Sequence, residues 1–348
     1  MKTTKLIAIV LIIAAMLSAM TACQNAPPKP QETPNIETPT PTPPSENVSL
    51  PELYLMDEYI PLLYENAVGG AGDNFTAKYT GKDFYKNDFY SKSISASKET
   101  KIFGNSVKIH YLHSHKLNLY KDEIDNYIGI SNGERFRIEY NVNTEKMARY
   151  IRYAPCTNRD YKSDVTPKSS EEDFMKYVKN ILWEQCGVSV EDRQVKIVTK
   201  IIKESGPSEF ENRFVNNSDK DPDFNATYTY TFYSEIDGIS RCDDIIIAVT
   251  NVGEIQKIEA MVNDEAYAPF KDVKIDKEKL NSSVEGTFSV IKNSYNIQSH
   301  NIELVALPTE TELWVEVTIA YHYLNGDVPI SSGVFYLIKV AELRETKN

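Results

Sequence analysis

The chain has 348 residues, a hydrophobic content of 41% and a formal net charge of -12 at pH 7. This composition suits a packed soluble protein with room for one large domain or two smaller ones. The negative charge argues against a nucleic-acid backbone as partner, and also against adhesion to an anionic membrane surface by charge alone.

The first 22 residues have the pattern of a secretory leader. Lysines near the start precede an apolar run over residues 6–17, which is too short for a permanent membrane span. The sequence MTAC over residues 20–23 resembles the bacterial lipobox, with Met where Leu is usual. The resemblance implies that Cys23 is lipidated and holds the protein on the outer face of the bacterial cytoplasmic membrane. Ordinary cleavage beside an incidental cysteine is the alternative.

Residues 23–50 are rich in Pro, Thr, Glu and Asn and lack apolar periodicity. A segment of this composition cannot bury a core, so we predict a disordered linker. Because proline favours extended backbone, its reach is at most roughly 80 Å, at about 3.1 Å per residue. The linker would hold the folded part away from the lipid.

Residues 51–165 are predicted to form a first, degenerate α+β unit. Ser, Pro and Glu over residues 49–52 are typical of a helix start, and apolar residues follow at helical spacing. Alternating residues 107–111 indicate a strand. Residues 127–130 and 136–140 flank an Asn-Gly pair, which predicts a hairpin.

A second unit, residues 166–265, begins with the clearest helix of the chain. Either Ser169 with Glu172 or Ser170 with Asp173 supplies a capping box. Apolar residues recur at helical spacing to Cys186, and Gly187 stops the helix. Three antiparallel strands are predicted over residues 228–262. The middle one, apolar on both faces, should be central.

A third unit, residues 266–348, would repeat the order of the second: a helix capped by Asp276, a short strand, a long alternating strand and a final strand after Asn325-Gly326. The fold prediction is therefore α+β, with two or three repeated units. In each unit one helix would lie across an antiparallel β-sheet, because neither surface is stable alone.

The stretch over residues 228–262 resembles a PepSY-type domain, also described as cystatin-like. The likeness lies in an aromatic strand over residues 228–233, an apolar strand over residues 245–249, and the turn Gly253-Glu254-Ile255. The resemblance implies an extracytoplasmic, non-enzymatic module that in some relatives regulates a peptidase or a cell-wall sensor. It carries over no catalytic residues.

His110, His113 and His115 form the most distinctive polar cluster. If their strand continues past Leu112, His113 and His115 share a face and are weak candidates for metal ligands, since zinc needs at least one more ligand from elsewhere. They would then lie on the same face of the strand as Val107, Ile109 and Tyr111, whose side chains are otherwise expected to point into the core. Alternatively the strand frays near Leu112 and the histidines are solvated.

The other candidate sites are weaker. Asp219, Asp221 and Asp223 alternate like the opening of a calcium loop, but Phe224 and Tyr230 occupy positions that an EF-hand reserves for Gly and Glu. A solvated acidic loop is the simpler interpretation.

Cysteine chemistry offers no clear site either. If Cys23 is lipidated, at most one disulfide can form among Cys156, Cys186 and Cys242. No nucleophile elbow or phosphate loop is present in the sequence, so we predict no catalytic residues, no cofactor and no enzyme activity.

These expectations favour a lipid-anchored, non-catalytic surface protein whose partners are membrane lipid, through Cys23, and a protein or peptide. The alternative is a lipoprotein that binds cell-wall glycan or a small solute through tyrosine-rich strands. Trp314 and His322 are candidates for such a sheet surface, although ordinary cross-strand pairing explains each residue singly. An enzyme is the third class, and it requires a polar cleft.

Overall fold

The structure is a computed structural model that describes residues 51–63, 78–79, 81, 84, 87–117, 122–131, 134–153, 163–202, 209–212, 214 and 225–344. All of them belong to one compact unit, Ser49–Asn348. The predicted leader, Cys23 and the linker lie outside these residues. Within the described residues, no helix is both long enough and apolar enough to cross a membrane.

The described part of the chain is predominantly β-structure. Its strands are β1 Glu52–Leu55, β2 Pro61–Leu63, β3 Lys78–Tyr79, β4 Asn87–Tyr90, β5 Ser97–Ile102, β6 Asn105–Leu117, β7 Glu123–Ser131, β8 Glu134–Asn141, β9 Met147–Arg152, β10 Gln194–Ile202, β11 Glu209–Glu211, β12 Asn225–Tyr233, β13 Glu235–Ile236, β14 Ile239–Arg241, β15 Ile245–Thr250, β16 Ile255–Glu259, β17 Ile297–Pro308, β18 Glu312–Asn325 and β19 Val328–Arg344.

These strands form two sheets. The larger sheet runs β11-β10-β12-β15-β16-β9-β8-β7-β6-β4, with β5 also paired to β6. The smaller sheet runs β13-β14-β17-β18-β19-β2-β3, with β1 also paired to β19. The described pairings are antiparallel except for β14 with β17 and β2 with β3. The smaller sheet thus draws on the beginning, middle and end of the folded unit.

Three α-helices occur in the described residues: α1 Glu171–Ile181, α2 Asp264–Tyr267 and α3 Lys277–Ser294. The helix α1 continues into a π-helical turn, Leu182–Cys186, and a 3-10 turn, Ala268–Phe270, follows α2. A capping box between Ser170 and Asp173 begins α1, as predicted, and Asp276 caps α3.

Each sheet has its own core. The apolar side of α1, with Phe174 and Val178, packs with Tyr228 and Tyr230 of the larger sheet. The apolar side of α3 packs on the smaller sheet in a separate cluster. In β12 Tyr228, Tyr230 and Phe232 are buried while the alternating threonines are only partly buried, so the predicted alternation is confirmed.

The prediction of repeated PepSY-type units is wrong. The two long helices lie over sheets that differ in strand number, strand order and strand source, and the protein is mostly strand rather than α+β. In the larger sheet β9 pairs with β16, so strands on both sides of residue 165 share one sheet. In the smaller sheet β14 pairs with β17 across residue 265.

The predicted helix near residue 52 is also wrong. Residues 52–55 and 61–63 form β1 and β2, which both pair with the final strand β19. The side chains of β1 are all exposed, so the segment contributes backbone pairing to the fold and no buried stripe. Instead, the long strand β19 forms backbone hydrogen bonds with both segments.

Among the described residues, the strands predicted over residues 107–111, 127–130, 136–140 and 228–262 are confirmed. The hairpin around residues 132–133 forms between β7 and β8, and β15 lies between β12 and β16. Gly187 has a φ of 69° and ends the helix as expected.

Candidate functional site

The face of the larger sheet opposite α1 carries a row of polar residues. In β8, Phe136 and Ile138 belong to the core on the α1 side. Arg137 and Glu139 therefore point to the other face, because side chains alternate along a strand. We call this face the polar face. Across β6, β7, β8, β9 and β16 it carries His113, His115, Asn126, Arg137, Glu139, Arg149, Lys257 and Glu259.

Strand register aligns five of these residues directly across neighbouring strands. The row is His113, Asn126, Glu139, Arg149 and Glu259, on β6, β7, β8, β9 and β16 respectively. At about 4.8 Å between adjacent strands, it extends about 19 Å. Such a line of directly opposed polar side chains makes the row a single surface.

Ion pairs connect the charged residues of strands β8, β9 and β16. Arg137 Nη2 lies 2.9 Å from Glu139 Oε1, and Arg149 Nη2 lies 3.1 Å from Glu259 Oε1. Lys257 Nζ is 2.8 Å from Glu259 Oε2. The cations Arg137, Arg149 and Lys257 outnumber the two carboxylates, so this surface is locally positive on a chain of net charge -12.

Hydrogen bonds fix the protonation of His115. Arg137 Nε donates to Asn126 Oδ1 at 2.9 Å, and this places the amide nitrogen of Asn126 2.9 Å from His115 Nδ1. Because arginine can only donate, the Asn126 atom facing it is the oxygen, and His115 Nδ1 must accept. The neutral ring therefore carries its proton on Nε2.

Both histidines are held in the neutral form. Burial lowers the pKa of His115 to about 4, assisted by His113, Arg137 and Arg149. Burial and Arg137 also lower the pKa of His113 below its usual value. The exposed ring of Phe89 packs on both, with centroids 5.3 Å from His113 and 5.5 Å from His115.

Three buried atoms along the row lack a hydrogen bond within the described part of the chain. They are His113 Nε2, Glu139 Oε1 and Arg149 Nε. Glu139 Oε1 is close to Arg137 Nη2, but the pair does not meet hydrogen-bond geometry, so the contact is an ion pair only. Burial raises the pKa of Glu139, although the positive charges of Arg149 and Arg137 act to lower it. Unsatisfied buried polar atoms are costly, and these three leave the row with hydrogen-bonding capacity that the described residues do not use.

The parity predicted for the histidines is wrong for a local reason. The strand continues through Leu117, but a bulge between Tyr111 and His113 shifts the register. Tyr111 pairs with Tyr127 and packs against the α1-side core, whereas His113 pairs with Asn126 on the polar face. His113 and His115 do share a face, and it is the one opposite to the face of Tyr111.

The structure brings His113 and His115 together, and within the described residues it places no third ligand-type side chain with them. Their ring centroids are 6.0 Å apart. Among the described residues, no group of three or more His, Cys, Asp or Glu side chains is positioned to hold a metal ion. Arginines rather than carboxylates are their charged neighbours, which is an unfavourable environment for a cation.

Other predicted residues lie elsewhere. Cys23, Cys156 and Asp219, Asp221 and Asp223 fall outside the described residues. Cys186 is buried, which raises the pKa of its thiol to about 12, and Cys242 Sγ lies 3.1 Å from Tyr267 Oη.

Trp314 and His322 of the smaller sheet do not form a joint surface. Trp314 is buried with Phe84 and Leu337. His322 Nδ1 pairs with Ser331 Oγ at 2.8 Å on the facing strand. Ordinary cross-strand packing therefore accounts for both residues.

The sequence did not mark four residues of this face as site candidates: Arg137, Glu139, Arg149 and Glu259. Each occupies a polar position in an alternating strand, which a sequence shows only as a solvated face. That they oppose one another depends on pairing between β9 and β16, more than 100 residues apart in the chain.

Comparison with known protein families, curated proteins and solved structures finds no match to this chain. The PepSY resemblance is therefore supported neither by a family match nor by the fold.

Proposed function

We propose that this chain is a lipid-anchored extracytoplasmic protein of non-catalytic type that binds a protein or peptide partner across the polar face of its larger sheet. The leader and linker motivate the location. The row of buried, incompletely hydrogen-bonded polar atoms on the polar face is the observation that supports the binding role.

The dimensions of the row favour an extended partner. A length of about 19 Å matches roughly six residues of extended peptide, at about 3.3 Å per residue. The excess of arginine and lysine favours a partner that offers carboxylates, because an arginine donates to a carboxylate through two parallel hydrogen bonds. Both histidines are neutral, so they would contribute hydrogen bonds rather than charge.

The alternative, a glycan or solute binder, depended on tyrosine-rich strands. Tyr228 and Tyr230, two of the three tyrosines of β12, are buried beneath α1 and supply packing. They are not available to stack on a sugar. The narrower idea of a peptidase or sensor regulator came from the PepSY resemblance and is not carried further.

Capture of partners by the full-length chain on intact cells tests the proposal. The variant Arg137→Ala/Arg149→Ala removes the two guanidinium groups of the row, and we expect at least about a tenfold loss of the captured partner, since each charge-assisted bond contributes about 1.5–3 kcal/mol. The captured partner should also be released by salt. Peptides from its acidic segments should bind the purified chain.

Arg344→Ala is the matched control, because Arg344 is an exposed arginine on the smaller sheet. Capture should be unchanged in this variant. Equal capture by the double variant would contradict the placement on the polar face. A wild-type chain that captures nothing but hydrolyses a substrate would contradict the proposed function itself.

A further inference from the structure

One edge of the smaller sheet is only partly paired. Strand β17 pairs with β18 along its whole length, whereas β14 pairs with the other side of β17 only at Val305 and Ala306. Within the described residues, no strand therefore covers this edge over residues 297–303. Residues 298–301 and Glu303 are exposed along this stretch. A row of unpaired backbone groups of this kind is a template for a further strand.

The pairing of β17 with β18 shows which backbone groups point outward. Opposed residues in an antiparallel pair alternate between pairs that exchange two hydrogen bonds and pairs that exchange none. Pro308 has no N–H, so its pair with β18 cannot exchange two bonds. In agreement, the carbonyl of Ala306 points away from β18 and accepts from Tyr267 Oη at 2.6 Å. In steps of two along the strand, the N–H and C=O groups of His300 and Ile302 also point to the open edge.

A bulge and strand β14 limit the open edge. The register of β17 shifts between Ile297 and Ser299, so the regular strand begins at Ser299. At the other end β14 pairs in parallel across from Val305. Because the backbone groups of Val305 point to β18, β14 must bond to the neighbours of Val305, of which Leu304 faces the open stretch. The regular open edge therefore covers residues 299–303.

This open edge is complementary to a second copy of itself. A two-fold axis at Asn301 places the two edges antiparallel, with His300 of each copy opposite Ile302 of the other. Both residues point outward, so each of these pairs can exchange two hydrogen bonds. Ser299 then faces Glu303, which sets a hydroxyl donor beside a carboxylate. No like charges are opposed along residues 299–303, and an isologous contact of this kind closes as a dimer.

The open edge lacks the usual protection against strand pairing. Residues 299–303 include neither proline nor lysine, the residues that often block an edge. The adjoining face of the sheet is covered by α3, since the ring centroids of His300 and Phe288 are 4.3 Å apart. The backbone groups at the rim, rather than an apolar face, are thus what this region offers to a partner.

We propose that the open edge of β17 joins two copies of this chain into a two-fold dimer with one continuous sheet. The edge matches itself in length, hydrogen bonding and charge, which favours a second copy over an unrelated strand. Backbone pairing over so short a stretch makes a small interface, so the dimer is reversible and depends on concentration. The dimer does not use the polar face and does not rest on the proposed partner binding.

Single cysteines introduced into the full-length chain test the register. In the dimer the two Asn301 residues form a pair without hydrogen bonds, with Cα atoms about 4.5 Å apart. A disulfide spans Cα separations of about 4.4–6.8 Å. Asn301→Cys should therefore give a disulfide-linked dimer on mild oxidation, measured by non-reducing electrophoresis.

Ser299→Cys is the matched control, because Ser299 is also exposed on β17. Its symmetry mate lies four residues further along the strand, about 13 Å away at about 3.3 Å per residue. This variant should cross-link no more than wild type, which shows the background from the four native cysteines.

Sedimentation velocity over about 1 µM to 1 mM protein measures the dimer without cross-linking. His300→Pro removes an outward N–H from each copy without removing a bond to β18, so we expect at least about tenfold weaker dimerisation. His300→Ala loses the same side chain but keeps the N–H, and it should dimerise as wild type does.

Three outcomes would overturn the proposal: equal cross-linking of Asn301→Cys and Ser299→Cys, a wild type that stays monomeric throughout the range, or equal dimerisation of His300→Pro and His300→Ala. If His300→Pro fails to fold, the two cysteine variants still decide. Arg137→Ala/Arg149→Ala should dimerise as wild type does, so loss of partner capture and loss of the dimer are distinguishable. A dimer lost in that variant would place the contact on the polar face instead.

Discussion

At the scale of single residues, the polar face shows how one amide orients a histidine. Asn126 is buried, and its oxygen faces Arg137 while its nitrogen faces His115. The arrangement has no place for a second proton on His115 Nδ1. Neutral His115 is thus part of the folded structure, and its charging opposes folding.

Acidification should therefore destabilise the fold through His115. Its folded pKa, about 4, lies below the value of 6.5 expected in the unfolded chain. Between these values the unfolded chain binds more protons, so stability falls as pH falls from 6.5 towards 4. We expect wild type to lose up to about 2 kcal/mol more than His115→Gln between pH 7 and pH 4.5.

Urea titrations of both proteins across this pH range measure the difference. Other acidic groups titrate in both proteins, so their contributions cancel in the comparison. Parallel pH profiles for wild type and His115→Gln would show that His115 is not held neutral.

At the scale of elements, the turn between β15 and β16 depends on Gly253. Its φ is 82°, and a Cβ there would lie 1.9 Å from Ser163 Oγ and 2.7 Å from Val165 Cγ2. Ser163 donates to Val252 O, and Tyr177 of α1 donates to Gly253 O at 2.7 Å. The turn therefore joins α1, the preceding loop and the sheet.

We expect Gly253→Ala to lower the free energy of unfolding by more than about 3 kcal/mol, from backbone strain, overpacking and the loss of these bonds. Gly326→Ala is the control, since Gly326 has a φ of 62° but open space around its Cβ position. It should cost about 1 kcal/mol. Denaturant unfolding measures the free energy of unfolding of both variants. Equal losses of stability would show that steric crowding around Gly253 makes no contribution.

Helices and strands were predictable where the sequence has an amphipathic pattern together with local signals for the start and end of the element. The helix α1 has both, through the capping box at Ser170 and the stop at Gly187. The segment at residues 52–55 has a capping signal but no buried stripe, and pairing with β19 decided its conformation. The bulge after Tyr111 has no comparable signal in the sequence.

At the scale of the whole molecule, the smaller sheet joins segments that are far apart in the chain. Glu52 of β1 pairs with Arg344 of β19, and Ser240 of β14 pairs with Val305 of β17. Tyr267 donates to Ala306 O at 2.6 Å. Residues 266–348 thus supply the strands to which earlier segments attach.

Deletion of residues 266–348 should therefore prevent native folding of the remainder. Strand β1 would lose its partner, β2 and β14 would each lose one of two partners, and the core of the smaller sheet would be exposed. We expect no cooperative thermal transition by circular dichroism under conditions where the full chain melts cooperatively. A truncated chain with a native-like melt would show that residues 51–265 fold independently.

Local alternation and capping were enough to locate most strands and both long helices, because these signals depend on residues a few positions apart. Sheet partners, the opposition of Glu139 to Arg149 and the side on which His113 lies were decided by tertiary structure. Each depends on hydrogen bonds between segments far apart in the chain, or on a one-residue bulge. A shift of one residue exchanges the two faces of a strand, so short-range patterns could not have located the polar face.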